Sequence, residues 1–197
     1  MNVDRSSDAT RLHALREGDG AAFDELVAHW QRPLFAFAWR YVHHHADAED
    51  LVIEAFVRLH EQRRRLRPDT NLSAWLFTTL ANLCHNHHRW RRRHPEHSLE
   101  ASEDTTGAPG FVLTSSAPLP SAALEGDETD RAVRAAINHL PHDQKTVVLL
   151  HHFERLGYRE IAAVVGCSER GVETRLYRAR QRLREDLRPL LPEVAPR

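Results

Sequence analysis

Residues 157–184 read GYREIAAVVGCSERGVETRLYRARQRLR, and their pattern predicts two helices joined by a tight turn. Gly166 is placed to end the first helix, because glycine tolerates the left-handed conformation of a helix C-cap. Ser168 can then cap the second helix through its hydroxyl group. Apolar residues recur every three or four positions, which predicts one buried face on each helix. These apolar residues are Ile161, Ala162, Val165, Val172, Leu176, Ala179 and Leu183.

The opposite face of the second helix is rich in arginine. It carries Arg170, Thr174, Arg175, Tyr177, Arg178 and Arg182. A short helix, a tight turn and a longer basic helix form the arrangement that places a recognition helix in the major groove of DNA. Spacing alone leaves one alternative open, which is an ordinary helical hairpin with a solvated basic face.

Length and composition restrict the class of protein. The chain has 197 residues, of which 28% are charged and 41% hydrophobic, as expected of one or two small soluble domains. It contains no run of about 18 apolar residues, so no membrane span is expected. The N-terminus lacks the apolar core of a signal peptide. Cys84 and Cys167 lie far apart and form no CxxC motif, which favours a reduced, cytoplasmic protein.

The charge is unevenly distributed along the chain. The net charge is only −1, but residues 96–127 carry six acidic and no basic residues, while the segments on either side have a small basic excess. Residues 96–127 are also rich in Ser, Thr, Ala, Pro and Gly and show no helical period, so we expect a flexible linker. The chain is thus divided into domains at residues 10–95 and 128–190, with Phe111-Val112-Leu113 as a short apolar patch in the linker.

Helical periodicity dominates the first domain. It predicts a short helix over Thr10–Glu17 and a long one capped by Asp19, which Pro33 should kink or split. Asp47 and Ser73 are the expected caps of two further helices.

The second domain shows the same periodicity. A helix begins near Glu128 and ends before Pro141, and Asp143 is the expected cap of the next one. In that helix Val147–Leu150 are consecutive, so they cannot all lie on one helical face. The predicted fold is all-α, with two small helical domains joined by a flexible acidic linker.

Two surfaces of the first domain are candidates for binding. The helix after Asp47 presents acidic side chains together with Ile53 and Val57, which suits a protein-docking face, although a solvated face is an equal alternative. The segment HNHHRWRRRH at 85–94 interleaves basic side chains with Trp90, a combination that can join phosphate contacts to base stacking.

Four stretches together resemble the extracytoplasmic-function (ECF) sigma factors of bacterial RNA polymerase. Residues 48–56, AEDLVIEAF, and 74–83, AWLFTTLANL, are similar to the second conserved region of that family. Residues 140–150, LPHDQKTVVLL, and 158–180, YREIAAVVGCSERGVETRLYRAR, are similar to the fourth region. The resemblance covers about residues 10–95 and 128–190. It implies a specificity subunit without an active site or cofactor.

The resemblance also implies partners and contact residues. The second region would dock on the clamp helices of the largest polymerase subunit through Asp50, Ile53, Glu54 and Arg58. The residues implied in binding the −10 element are Leu66, Arg67, Asp69, Asn82, Arg89, Trp90, Arg91 and Arg92. The fourth region would contact the flap of the second-largest subunit and the −35 element. The residues implied in binding that element are Arg170, Glu173, Thr174, Arg175, Tyr177 and Arg178. The family is often held inactive by an anti-sigma factor.

The chain departs from the family pattern at two single positions and in one short stretch. Ile53 and Ala81 stand where the family usually has Gln and Arg, and RGVETR at 170–175 replaces GTVKSR. Glu173 thus replaces a basic residue, and its carboxylate repels phosphate but can accept a hydrogen bond from cytosine N4. The promoter preference is therefore expected to differ, or upstream binding to be weaker.

Two other classes remain as alternatives. One is a stand-alone helix-turn-helix regulator, against which the docking-type helix of the first domain argues. The other is a metal protein or hydrolase that uses the 15 histidines, of which two groups are clustered. These clustered histidines are His43, His44, His45, His85, His87, His88, His94 and His97. Because they fall in a loop and at a basic helix end rather than on several rigid elements, no metal site is expected.

Overall fold

The structure is a computed structural model that describes residues 5–94 and 128–190. These residues form eight α-helices and a short 3-10 helix, and the described ranges contain no strand. The prediction of an all-α fold is confirmed. The helices belong to two compact units, one on each side of the predicted linker. Both the linker and its apolar patch Phe111-Val112-Leu113 lie outside the described residues.

The first unit has four helices: α1 (Arg5–Arg16), α2 (Gly20–Val42), α3 (His45–Gln62) and α4 (Leu72–Arg93). Helix α2 is central and packs against the other three, and α3 also packs against α4. Trp30, Phe37 and Phe77 are fully buried at the centre, with edge-to-face ring contacts to Phe77 from both Trp30 and Phe37. Aromatic rings of this size bury enough apolar area to dominate a small core.

Helix caps in this unit were predicted with mixed success. Asp19 caps α2 as expected, accepting a hydrogen bond from the Ala21 N–H at 2.9 Å. The prediction for α3 was wrong, because the imidazole of His44 accepts from the Asp47 N–H at 3.3 Å and the helix begins at His45. Helix α4 also begins earlier than predicted, because Asn71 accepts from the Ala74 N–H at 3.2 Å.

Two further differences concern helices α1 and α2. Helix α1 begins at Arg5, several residues before the predicted Thr10. Helix α2 continues through Pro33 as a single element, so the predicted split does not occur. Leu34, Phe35 and Phe37 are buried directly after the proline, and this packing holds the helix together where a backbone hydrogen bond is missing.

The second unit contains α5 (Glu128–His139), α6 (His142–His152), α7 (Tyr158–Val165), α8 (Glu169–Asp186) and the 3-10 helix η1 (Arg188–Leu190). Helix α8 packs against α5, α6 and α7. The expected side-chain cap of α6 by Asp143 was wrong. The N-cap residue is Pro141, and Asp143 lies inside the first turn.

The consecutive apolar residues of α6, which cannot all lie on one helical face, are buried on more than one side of the helix. Val147, Val148, Leu149 and Leu150 are all buried, because α6 packs against both α7 and α8. Even Lys145 is buried, and its ammonium donates to the Asn138 side-chain oxygen on α5 at 2.6 Å. Helix α6 is therefore the interior helix of this unit, with neighbours on more than one side.

Candidate nucleic-acid and polymerase interfaces

The turn between α7 and α8 has the geometry predicted from the sequence. Gly166 adopts φ +65°, the left-handed C-cap conformation, and its N–H bonds to the Ala162 carbonyl. Ser168 accepts a hydrogen bond from the Gly171 N–H at 3.1 Å and so caps α8. A Cβ at position 171 would lie 3.0 Å from the Cys167 sulfur, so glycine permits the close turn. The turn fixes the start of α8 relative to α7.

Helix α8 buries one stripe and exposes another. Val172, Leu176 and Ala179 are buried. With about 100° of rotation per residue, Arg170, Thr174, Tyr177 and Arg178 lie roughly 125–165° away from the middle of that stripe. All four are exposed, and so is Glu173, roughly 95° away from the stripe. Tyr177 is the most open, with 61% of its surface accessible.

The exposed face of α8 offers a defined set of polar groups. The Thr174 hydroxyl donates to the Arg170 carbonyl at 2.9 Å, so its oxygen is left mainly as an acceptor toward solvent. Glu173 adds an exposed acceptor, and Arg170 and Arg178 add exposed donors. Such a mixture can hydrogen-bond to base edges and to phosphates in a duplex groove.

Arg175 is placed differently from the other arginines assigned to DNA. It lies roughly 65° from the middle of the buried stripe, and only 28% of its side chain is accessible. Its Nε lies 3.2 Å from Oδ2 of Asp143, in the first turn of α6. The structure thus brings Arg175 to α6 rather than to the exposed face.

Helix α3 presents the surface that the sequence suggested for docking. Ile53 and Val57 are each 43% exposed and lie one helical turn apart, so they form an apolar pair at the surface. Asp50 is exposed beside them, and Glu54 pairs with the Arg58 guanidinium at 2.8 Å. We call these five residues the α3 face. An apolar pair surrounded by charged groups is the pattern of a protein–protein contact with a polar rim.

The loop between α3 and α4 combines a buried anchor with exposed polar groups. Leu66 is buried, and its N–H bonds to the Gln62 carbonyl at 3.1 Å. Arg67 and Asp69 form a two-point ion pair at 3.0 and 3.1 Å, and both are exposed. The loop therefore holds a carboxylate and a guanidinium together on the surface.

The far end of α4 carries a polar stripe. Asn82, Asn86, Arg89 and Arg93 follow one another at helical spacing, and all four are exposed. Asn86 and Arg93 were not among the predicted contact residues, although their helical spacing from Asn82 and Arg89 could have indicated them. Arg92 is also exposed, on the side of the helix next to this stripe.

Trp90 extends from the same helix end. It is 45% exposed, and its ring stacks on the His94 imidazole with centroids 5.0 Å apart. An exposed indole at a basic helix end can stack on an unpaired base.

Arg91 lies on the opposite side from the polar stripe and takes part in an ion-pair network. Its Nη1 lies 2.7 Å from Oδ2 of Asp47 in the first turn of α3. His87 Nε2 is 3.4 Å from the same oxygen, and His44 Nδ1, 3.2 Å from the other one, acts as the neutral acceptor of the Asp47 N–H rather than as an ion-pair partner. We call these four residues the Asp47 network. Burial lowers the pKa of His87, and the positive charge of Arg91 lowers it further, while Asp47 acts in the opposite direction.

The described ranges contain no group of three or more His, Cys, Asp or Glu side chains arranged to hold a metal ion. Within those ranges, no helix combines the length and the apolar character needed to span a membrane.

The helix-turn-helix and the exposed basic side chains on α4 and α8 suit a helical protein that binds DNA. Comparison with known families identifies the group. The model of sigma-70 region 2 matches residues 26–94, and the model of sigma-70 region 4 matches residues 130–183. The RNA polymerase sigma-H factor of Pseudomonas aeruginosa is 32% identical over 96% of this chain and 98% of its own length.

Other relatives agree with this match. The ECF RNA polymerase sigma-E factor of Escherichia coli is 28% identical over 94% of this chain and 96% of its own length. Two solved structures share the fold. That of CnrH in complex with the cytosolic domain of CnrY has a TM-score of 0.67 at 22% identity and covers 93% of this chain and 98% of its own. RpoE of Bartonella quintana, in complex with the anti-sigma factor NepR, has a TM-score of 0.58 at 27% identity and covers 84% of this chain and 96% of its own.

The chain belongs to the sigma-70 family of RNA polymerase sigma factors, in its ECF group. It binds core RNA polymerase and directs promoter-specific initiation of transcription. The stand-alone regulator considered from the sequence is therefore excluded, because a region 2 unit accompanies the helix-turn-helix.

Proposed function

We propose that the two units divide promoter recognition between them. Residues 10–95 would bind polymerase and the melted −10 element, residues 128–190 would bind the −35 element as duplex, and residues 96–127 would link them toward the active-site cleft. In this scheme the chain catalyses no reaction of its own. The observation that carries the proposal is that most side chains at the family's contact positions are exposed to solvent. They are exposed even though their neighbours along the same helices are buried.

The α3 face is the proposed site for the clamp helices of the largest polymerase subunit. Ile53 and Val57 would be covered on binding, and apolar groups at the centre of an interface contribute most of its affinity. Asp50, Glu54 and Arg58 would form the polar rim, where charges select the partner and its orientation. Ile53 stands where the family usually has Gln, so the contact here would be more apolar.

The α3–α4 loop and the end of α4 are the proposed site for the melted −10 strand. Arg67, Asp69 and Asn82 can read the hydrogen-bonding edge of an extruded base, and the buried Leu66 would set the position of the loop. Arg89 and Arg92 would hold phosphates, with Trp90 stacking on a base. Arg91 would instead anchor α4 to α3 through Asp47.

The exposed face of α8 is the proposed reader of the −35 element. Arg170, Thr174, Tyr177 and Arg178 would contact the major groove or its phosphates. Glu173 would favour a cytosine at the base pair it faces, because a carboxylate accepts a hydrogen bond from cytosine N4. This unit would also dock on the flap of the second-largest polymerase subunit.

We also propose one further partner and a cellular location. The Bartonella quintana relative was solved with the anti-sigma factor NepR, which supports an anti-sigma partner for this chain as well. Promoter DNA and core polymerase would both be met in the cytoplasm, where we place the protein. We assign it no cofactor.

Capture of core polymerase by the tagged full-length chain tests the proposal. Ile53→Ala combined with Val57→Ala should reduce capture by about tenfold or more, because the apolar centre of the interface is lost. Both residues are exposed, so the fold should be retained. Asp24→Ala, an exposed position on α2, serves as the control. Equal capture by the double variant and the parent chain would contradict the assignment of the α3 face.

Promoter melting tests the other half of the unit. Asn82→Ala in reconstituted holoenzyme should lower open-complex formation while capture of polymerase stays unchanged. A parallel loss of both would mean that Asn82 acts through polymerase binding or folding instead.

A further inference from the structure

We propose that Asp143 positions the recognition helix through Arg175, and that Arg175 contributes to promoter binding by holding α8 rather than by touching DNA. The inference rests on the proposed role of α8 as the reader of the −35 element. It concerns a residue, Asp143, that belongs to a different helix and lies 32 positions earlier in the chain.

The first observation is the direction in which Arg175 points. It lies beside the buried stripe of Val172 and Leu176, whereas Arg170 and Arg178 lie nearly opposite that stripe. The Nη1 atom of Arg175 is buried and has no hydrogen-bond partner in the described part of the chain. With Nη1 buried and Nε facing Asp143, Arg175 has less of its guanidinium available to a phosphate than the exposed arginines have, and turning it toward DNA would break its ion pair with Asp143.

The second observation is that Asp143 lies in the first turn of a buried helix. Helix α6 is the interior helix of the unit, with seven consecutive residues from Gln144 to Leu150 buried. It is therefore a rigid support. The ion pair joins the start of this support to the middle of α8, at the position directly after Glu173 and Thr174. It thus restrains how far α8 can rotate about its own axis within the stretch that carries its exposed face.

A positioning role and a purely electrostatic role predict opposite effects of removing the charge of Asp143. Asp143 is 49% exposed on the unit proposed to bind DNA, which is a polyanion. If Asp143 acted only by electrostatic repulsion of the phosphates, removing its negative charge should strengthen DNA binding. If Asp143 positions α8, neutralising it should weaken binding instead. The sign of the effect therefore separates the two roles.

The test uses holoenzyme reconstituted from core polymerase and the full-length chain. Binding is measured on two promoters that differ only in whether the upstream element is intact or scrambled. Asp143→Asn should weaken binding to the intact promoter about three- to tenfold and leave binding to the scrambled one unchanged. Asp143→Glu, which can still reach Arg175, should restore most of the loss. The matched control is Asp186→Asn, which removes an exposed carboxylate at the end of α8.

Further arms make each outcome decisive. A loss of folded protein would reduce binding to both promoters, so unchanged binding to the scrambled promoter separates positioning from instability. Arg175→Gln should weaken binding to the same extent as Asp143→Asn, because both break the same ion pair. The double variant Asp143→Asn with Arg175→Gln should weaken it no further, since the effects of two residues in contact do not add.

Two results would overturn the inference, and they differ from failure of the proposed function. Equal or tighter binding of Asp143→Asn to the intact promoter would overturn it, provided that Arg178→Ala weakens binding to that promoter. If Arg178→Ala also has no effect, then α8 does not read the upstream element, and both the proposed function of α8 and the inference fail.

Discussion

The two basic helices of this sigma factor, α4 and α8, share one arrangement of their arginines. Each helix has several exposed arginines at the end of α4 or along α8. Each also has one arginine that forms an ion pair with an aspartate on another helix, and we call this one the held arginine. The held residues are Arg91, 2.7 Å from Asp47, and Arg175, 3.2 Å from Asp143. In both helices the held arginine lies close to the buried stripe. A basic helix can therefore carry arginines that pair within the protein as well as arginines that face solvent.

The two ion pairs differ in their surroundings. Asp47 is mostly buried and also contacts His44 and His87, whereas Asp143 is half exposed and its described ion pair is with Arg175 alone. A half-exposed pair contributes little to stability but can still fix geometry. The more buried Asp47 network should therefore matter for folding and for pH, and the Asp143 pair mainly for positioning.

The largest expected difference concerns stability. Asp47→Ala should lower the free energy of unfolding of the first unit by about 2 kcal/mol, because a mostly buried guanidinium loses a charged hydrogen bond. Asp143→Ala should cost less than about 1 kcal/mol in the second unit, since that pair is more exposed. All four tryptophans lie in the first unit, so their fluorescence reports its unfolding in denaturant separately. Amide hydrogen exchange can report the second unit. Equal losses for the two variants would break the comparison.

A smaller effect is expected at Glu173, which has no acidic counterpart among the exposed side chains of the α4 stripe. Glu173→Lys should change the preferred base pair at one upstream position, with about a tenfold change in relative affinity. The reason is that a carboxylate, which accepts a hydrogen bond from cytosine N4, is replaced by a cation that can only donate. Selection of promoters from a randomised library by reconstituted holoenzyme measures this preference. The −10 preference should stay the same. A change in both elements, or in neither, would argue against separate readers.

The smallest effect is the pH dependence of the first unit. The pKa of His87 is lowered from its usual 6.5 by burial, with contributions from Asp47 and Asp50 that raise it and from Arg91 and His44 that lower it. The folded state therefore favours the neutral ring. Stability is full above about pH 6.5 and falls as the pH drops through that value toward the folded pKa.

Tryptophan fluorescence in denaturant at several pH values checks this direction. His87→Gln should flatten the dependence, whereas His13→Gln, at an exposed position on α1, should leave it unchanged. Some dependence should remain in the His87 variant, because burial and Arg89 also lower the pKa of His85. A stability that rises on acidification would contradict the assignment.

Much of the fold could be predicted because local residues determine it. Gly166, Ser168 and Asp19 end or cap helices through their own backbone or side-chain preferences, so sequence located them correctly. The caps of α3 and α4 were misplaced because two residues that can cap a helix lie close together at each start. The true caps, His44 and Asn71, come just before the predicted ones, Asp47 and Ser73, and the sequence does not show at which residue the helical backbone begins. Helical period alone could not show that α6 is buried on several sides, since that depends on its neighbours.

The candidate sites were predictable to a different degree. Arg91 continues the buried spacing of Leu80, Cys84 and His87, so the period itself indicates that it points inward. Arg175 gives a weaker signal, because its position is at the edge of the stripe. Its partner Asp143 could not be found from sequence, since an ion pair between helices depends on how they pack.

The salt dependence of promoter binding by holoenzyme tests the distinction between held and exposed arginines most directly. Each phosphate contact adds about 0.9 to the slope of log affinity against log salt in a duplex, and about 0.7 in a single strand. Arg178→Gln and Arg89→Gln should therefore each lower the slope by about that amount. Arg175→Gln and Arg91→Gln should weaken binding but leave the slope unchanged. Slopes that fall equally in all four variants would contradict the account, because every arginine would then be a phosphate contact.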